Sequence, residues 1–261
     1  MFLLTVFICL LLLTNAYFLY KYLKYRYKLR QKGLFTNWPL PKISLDQLDQ
    51  VFHPNEFGPT SKAEVRFIGK GNLVVPGGTS DTEAWILSAL SKNSMNIFEF
   101  GTCTGKTTYL MAVNSNADAR VTTLTLAPEM IGNYNKSVDD SSESIQDALN
   151  ESVFKSFLYS DTTAEKKITQ LFADSKGFDE TPYEGKMDLI FIDGSHAYSY
   201  VISDSEKALK MIAPNGLILW HDYRGPRETR DVFKALNQLS KKIPIKHIRE
   251  TSLAVYRHPS K

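Results

Sequence analysis

The sequence predicts an α/β domain with a doubly wound, mostly parallel sheet, and three segments carry that prediction. Asn96-Ile-Phe-Glu-Phe-Gly-Thr-Cys-Thr-Gly-Lys-Thr-Thr108 reads as a buried strand running into a glycine turn. Asp188-Leu-Ile-Phe-Ile-Asp-Gly-Ser-His196 reads as a second buried strand ending in Asp-Gly-x-His, and Gly216-Leu-Ile-Leu-Trp-His-Asp222 as a third ending in a His-Asp pair. Short continuous apolar runs suit strands covered on both faces. All three place ionisable groups at strand exits, where open α/β sheets build ligand sites.

The chain opens with twenty residues, Met1 to Tyr20, that include no charged side chain. As a helix they would span about 30 Å, the thickness of a bilayer's hydrocarbon core, so 1–20 reads as a transmembrane anchor. Lys21, Lys24, Arg26, Lys28, Arg30 and Lys32 follow at once, interleaved with Tyr22, Tyr25 and Tyr27. Basic residues beside a span stay on the cytoplasmic side and attract anionic head groups, which predicts a single-pass protein with its domain facing the cytoplasm. A cleaved signal peptide is the alternative, with Thr14-Asn-Ala16 as a small-x-small site. The missing charged n-region and the long apolar run favour the anchor. Residues 21–60 then read as a basic juxtamembrane segment and spacer, where Pro39, Pro41, Pro54 and Pro59 surround one helical pattern from Leu45 to Phe52.

The remaining residues, 61–261, suffice for one domain with its own core. Removing the six juxtamembrane cations from the net charge of +3 leaves 25 basic against 28 acidic side chains. A mildly acidic domain argues against a phosphate-tracking nucleic-acid partner. The two cysteines, Cys9 in the apolar run and Cys103 in the glycine turn, form no disulfide framework, which suits a reducing compartment.

Within the domain, Ser80 and Glu83 have capping-box spacing for a helix from about Gly77 to Lys92. Strands are predicted near 97–100, 121–126, 154–159, 188–192 and 217–221, and helices near 105–114, 143–151, 164–173, 200–212 and 228–241. The last segment, Ile245 to Tyr256, has too little chain between its apolar runs for a crossover helix and predicts a terminal antiparallel hairpin.

Together the three strand-exit segments resemble the class I S-adenosylmethionine-dependent methyltransferases, and the Asp-Gly-x-His and His-Asp signatures are most similar to the methyltransferase family 24 domain, related to macrocin O-methyltransferases. The resemblance runs over about 76–257 and implies a seven-stranded sheet, S-adenosyl-L-methionine as cofactor, and a sugar or small-molecule hydroxyl as methyl acceptor. It implies that Gly101, Thr102 and Gly105 cradle the cofactor and that Glu99 meets its cationic amino group; a strand-end carboxylate capping the next helix is the other reading of Glu99. Cys103 stands where the family has glycine, and Thr125 where it has an acid for the ribose. Asp161, after the expected third strand, matches the adenine position, and an N-cap for the next helix is its other reading.

Asp193 follows four apolar residues, so its carboxylate needs a cation or donors. In related metal-using enzymes this aspartate and an acidic pair after the next strand hold a divalent ion; here the pair is His221-Asp222, so Asp193, His221 and Asp222 are the candidate ligands for Mg²⁺ or another divalent metal. His196 is the candidate general base, since an imidazole that titrates near neutrality can take the hydroxyl proton. The Arg-rich segment Tyr223 to Arg230 suits either a cover over a glycan or anionic acceptor, or a solvated helix entry.

Two other classes compete. Gly101-Thr-Cys-Thr-Gly-Lys-Thr107 with Leu189-Ile-Phe-Ile-Asp193 imitates a phosphate-binding NTPase, but three residues separate the glycines where the phosphate loop needs four. A membrane-tethered binding or scaffold protein without turnover would account for Cys103 and Thr125. A nicotinamide-dependent enzyme is disfavoured, because the glycine turn here lacks the dinucleotide fingerprint and no acid follows the second strand.

Overall fold

The computed structural model describes residues 2–31, 39–53 and 78–260. The chain divides into two compact units, Met1–Pro39 and Leu40–Lys261. In the first, helix α1 (Phe2–Gln31) carries no charged side chain from Thr5 to Tyr20. Thr5–Tyr27 of this helix is long and apolar enough to cross a membrane, with mean hydropathy 1.6 over its most apolar 18 residues. Thr14 returns its hydroxyl hydrogen to the Leu10 carbonyl and Asn15 one amide hydrogen to that of Leu11, which lowers the cost of carrying these polar groups in an apolar helix. Lys32 of the basic run lies outside the described residues.

Among the described residues the second unit has one sheet of eight strands: β1 (Lys42–Ile43), β2 (Asn96–Phe100), β3 (Arg120–Thr125), β4 (Ile168–Phe172), β5 (Met187–Ile192), β6 (Ile212–Trp220), β7 (Lys246–Ile248) and β8 (Ala254–Arg257). Their spatial order is β1-β7-β8-β6-β5-β2-β3-β4. Only β8 runs antiparallel to its neighbours, β6 and β7, which is the expected terminal hairpin. Its described helices are α2 (Leu45–Leu48), α3 (Asp81–Ser91), α4 (Lys106–Asn114), α5 (Ser142–Glu151), α6 (Tyr198–Met211) and α7 (Arg230–Leu239). Ile97, Phe98, Leu189, Ile190, Phe191, Leu217, Ile218 and Leu219 are almost wholly buried, as continuous apolar runs in a sheet covered on both faces require. Each such side chain contributes about 1.5–3 kcal/mol of burial. The order reverses at β2: the chain winds outward through β3 and β4, then returns to place β5 and β6 on the other side. Crevices form at such switch points.

Three expectations are corrected. The third parallel strand is Ile168–Phe172, paired in register with β3, where a helix was expected. The stretch expected as that strand, 154–159, is turns and loop. Phe157 and Tyr159 stack their rings at 5.2 Å, and Tyr159 is buried while its hydroxyl donates to Gln170. Their apolarity therefore serves packing from a loop. Strand β4 lies at the sheet edge with Phe172 half exposed, so its sequence lacks the apolar continuity of the inner strands.

The second correction concerns the spacer. Residues 40–53 belong to the compact unit, and Leu40, Ile43, Leu48 and Phe52 are buried. Phe52 meets Trp85 edge-on at 5.2 Å, and Arg257 pairs with Asp49 at 2.6 Å. The third follows from it: Lys42–Ile43 pairs in parallel with β7 and adds an eighth strand to the expected seven. Residues 54–60 of the expected spacer, the expected domain start at 61 and Gly77 lie outside the described residues. The capping box holds, with the Ser80 hydroxyl and backbone N–H both bonded to Glu83.

Candidate functional site

At the switch point the exits of β2 and β5 come together. Gly101 continues the ladder by donating to Leu124 at 2.8 Å, and the Asp193 N–H donates to Phe100 at 2.8 Å. Gly101 has φ +99°, and a Cβ there would lie 2.1 Å from the Asp193 carbonyl oxygen. Only glycine lets the two strand ends approach this closely. Gly105, at φ +79°, starts α4, and a Cβ there would lie 2.8 Å from the Tyr159 ring.

A cleft opens over these exits. Gly101, Cys103, Thr125, Asp193, Gly194 and Ser195 border it from the strand ends, and Glu151 and Asp174 add carboxyls. Tyr134 and Tyr200, stacked at 4.6 Å, line its far wall. The Tyr134 hydroxyl lies 2.5 Å from that of Ser195, and the Tyr200 hydroxyl donates to Asp174 at 2.9 Å. Burial pushes Glu151 up to about 7, against the pull of His196, and the Cys103 thiol up to about 12.

Two expected cofactor residues, Gly101 and Thr125, border the cleft, and so does Asp193. Glu99 does not: its side chain is fully buried, accepting from Thr107 at 2.5 Å, from Thr123 at 2.7 Å and from Thr108. Burial raises Glu99 to about 7, partly offset by these hydroxyls. Thr102 is buried as well, with its hydroxyl 2.7 Å from that of Thr123. Glu99 and Thr102 therefore join β2, β3 and α4 behind the cleft. Asp161 is exposed at φ +61° in the turn that precedes β4, so it does not follow the third strand. Asp174 takes that place.

Asp174 and Glu151 were missed. Leu171-Phe172-Ala173-Asp174 repeats the apolar-then-Asp pattern of Ile192-Asp193, and misreading β4 as helix hid it. No periodicity marks Glu151, which α5 carries to the cleft from a distant part of the sequence. Lys106, the phosphate ligand of the NTPase reading, donates to the Thr79 carbonyl at 2.9 Å and does not line the cleft.

Beside the cleft, His196 Nε2 lies 2.8 Å from Asp222 Oδ2, and Arg224 Nη2 lies 2.7 Å from Asp222 Oδ1. His221 is buried, with Nδ1 3.0 Å from Asp193 Oδ1 and 3.3 Å from Asp222 Oδ1, and Nε2 3.4 Å from Glu83 Oε2. Burial lowers the His196 pKa, but its bond to Asp222 and the charges of Asp222, Asp193 and Glu151 outweigh this and raise it to about 9. His221 is likewise opposed by burial and raised well above its ordinary value by Asp193 and Asp222. The two imidazoles hold Asp222 well below the usual carboxylate range in spite of burial. His196 is therefore protonated at neutral pH as the site stands, whereas the sequence suggested a ring near its midpoint.

Asp193, His196 and Asp222 offer atoms within 4.8 Å of one another, a spacing compatible with a metal. The third expected ligand, His221, has Nδ1 3.0 Å from Asp193 Oδ1 and 3.3 Å from Asp222 Oδ1, close enough to join that group.

Residues 98–223, from the middle of β2 to the residue after Asp222, match a family model described as a methyltransferase domain. This segment is a methyltransferase domain. It contains the glycine turn, Asp193, His196, His221 and Asp222. No curated protein matches the chain. Among solved structures, the methyltransferase domain is similar to cofactor-bound Rv0187 from MTB, at 16% identity over 71% of this chain and 84% of that one, with TM-score 0.49. It is similar to the O-methyltransferase TomG of Streptomyces achromogenes, determined with SAM, at 11% identity over 70% and 82%, TM-score 0.47. A putative caffeoyl-CoA O-methyltransferase from Staphylococcus aureus matches at 18% identity over 70% and 86%, TM-score 0.47.

Proposed function

We propose that this protein transfers a methyl group from S-adenosylmethionine to the hydroxyl oxygen of a small molecule or glycan. The observation that carries the proposal is the His196–Asp222 pair, 2.8 Å apart, beside the cleft of a methyltransferase domain. The cleft suits the cofactor: Gly101 opens its floor, and Asp193, Asp174 and Glu151 give it acceptors for a cationic ligand. When bound, the cofactor supplies a methyl group already activated by a sulfonium.

Gly101, Thr125, Asp174, Asp193 and Ser195 would hold it. Asp222 fixes the His196 ring through Nε2, leaving Nδ1 to take the acceptor's proton when the ring is neutral. The carboxylates now keep a proton on that ring, and positive charge bound beside Asp193 offsets them and returns His196 toward neutrality. General-base assistance of this kind contributes about 10²–10⁴-fold. Holding acceptor oxygen and methyl carbon in line, away from water, supplies much of the remainder. Thr5–Tyr27 serves as a membrane anchor, and the basic residues that follow keep the domain on the cytoplasmic side.

The test is calorimetric titration of the full chain in detergent micelles with S-adenosylmethionine and with ATP, with and without magnesium. Micromolar binding of S-adenosylmethionine is expected, and a screen of hydroxylated acceptors then follows with His196→Ala as control. Magnesium-dependent ATP binding without S-adenosylmethionine binding overturns the proposal.

A further inference from the structure

The cleft is bordered by four carboxyls, Glu151, Asp174, Asp193 and Asp204, and among the described residues by no lysine, arginine or histidine. A ligand that brings positive charge is favoured in such a cleft over the same ligand without it. Asp204, on α6, points the same way on separate grounds: it is 1% exposed, and its Oδ1 has no hydrogen-bond partner. A buried acceptor left so is costly until a ligand supplies a donor.

Two of the other three acids are engaged by the fold. Asp174 accepts from the Tyr200 hydroxyl at 2.9 Å and from the Lys176 N–H at 3.0 Å, and Asp193 lies 3.0 Å from His221. Glu151, the last residue of α5, takes no side-chain hydrogen bond from a described residue; burial and charge alone act on it. Its charge reaches Cys103 in the glycine turn on one side and His196 on the other. The turn underlies the cleft and His196 stands beside it, so a methyl group passing from a ligand in the cleft to an acceptor at His196 crosses the field of Glu151. Methyl transfer leaves the sulfur neutral, because the electron pair of the broken S–C bond stays on it.

We propose that Glu151 is the charge-selective residue of the cleft: its carboxylate favours the sulfonium of S-adenosylmethionine over the neutral sulfur of S-adenosylhomocysteine, so that the hold on the product weakens once the methyl has left. This rests on the methyl-transfer proposal, which supplies both ligands. They share every group except the methyl and its charge, so the remaining contacts of the cleft serve both alike.

The experiment is calorimetric titration of the full chain in detergent with each ligand at pH 8, above the value of about 7 to which burial lifts Glu151. Wild type binds S-adenosylmethionine more tightly than S-adenosylhomocysteine. Glu151→Gln, which keeps the size of the side chain at a helix end, lowers that preference about tenfold, between the effects of an exposed and a buried ion pair. Glu151→Asp keeps the charge and retains most of the preference. Equal affinity of wild type for the two ligands overturns the inference, as does equal weakening of both or an unchanged preference in Glu151→Gln, and each of these leaves the methyl-transfer proposal standing. Binding of neither ligand by wild type defeats that proposal and this inference with it.

Discussion

The carbonyl oxygen of Asp193 occupies the space beside Gly101 so fully that a Cβ would stand 2.1 Å from it. Backbone fills that space, so no side-chain rotation relieves the contact. The two strand exits that border the cleft are held at this separation because residue 101 has no side chain.

Gly101→Ala should therefore damage fold and site together. An unfavourable φ alone costs about 1–3 kcal/mol, before the steric contact is added. A lower melting temperature and loss of S-adenosylmethionine binding are expected by differential scanning fluorimetry and calorimetry. A variant that melts and binds like wild type would show that the strand ends separate freely.

Removing the Asp222 charge should move a pH profile. His196 is raised to about 9 chiefly by Asp222 once burial is overcome. In the free enzyme, kcat/KM should rise as pH increases through that region, because the ring acts as base only when neutral. Asp222→Asn removes the charge that favours the protonated ring, so the rising limb should shift to lower pH while the maximal rate falls about 10²–10⁴-fold through lost ring orientation. An unmoved limb would assign it to another group.

Glu99 should make the domain less stable as pH rises. Its folded pKa, about 7, lies above the ordinary carboxyl value, so the folded state holds a proton that the unfolded state releases. By linkage, stability is greatest below the unfolded pKa and falls between about pH 4.5 and 7. Glu99→Gln keeps the shape without the ionisation, so the difference in melting temperature between pH 5 and pH 8 should shrink relative to wild type. An unchanged difference would mean that Glu99 does not titrate in this window.

Phe52→Ala should destabilise the chain by about 3–5 kcal/mol, the usual result of truncating a buried aromatic. Phe52 is 1% exposed and packs on Trp85, so a flexible-spacer role for residues 40–53 predicts almost no effect. Chemical denaturation of the two full-length chains in detergent distinguishes these outcomes.

Much of the fold was legible because inner parallel strands must be apolar on both faces. Phe98, Phe100, Ile190, Ile192 and Leu219 each sit in a run that no amphipathic helix would carry, and the Asp-Gly and His-Asp exits mark where those runs end. Where burial is one-sided, at β4 and at β1, that signal fades. Loop aromatics such as Phe157 and Tyr159 then imitate a strand that is not there.

The sequence by itself determined the α/β class, the terminal hairpin, the apolar first helix and the identity of Asp193, His196, His221 and Asp222 as neighbours at strand exits. Each follows from local pattern, because burial on both faces, helix length and strand termination leave their mark within a few residues. Only the tertiary structure decided that Glu99 lies behind the cleft among three threonines, that Asp174 and Glu151 border it, and that Glu83 reaches His221. Those relationships join residues from Glu83 to Ser252, and a carboxylate's role depends on which donors and cations the completed fold brings within about 3 Å of it, a distance that sequence spacing does not encode.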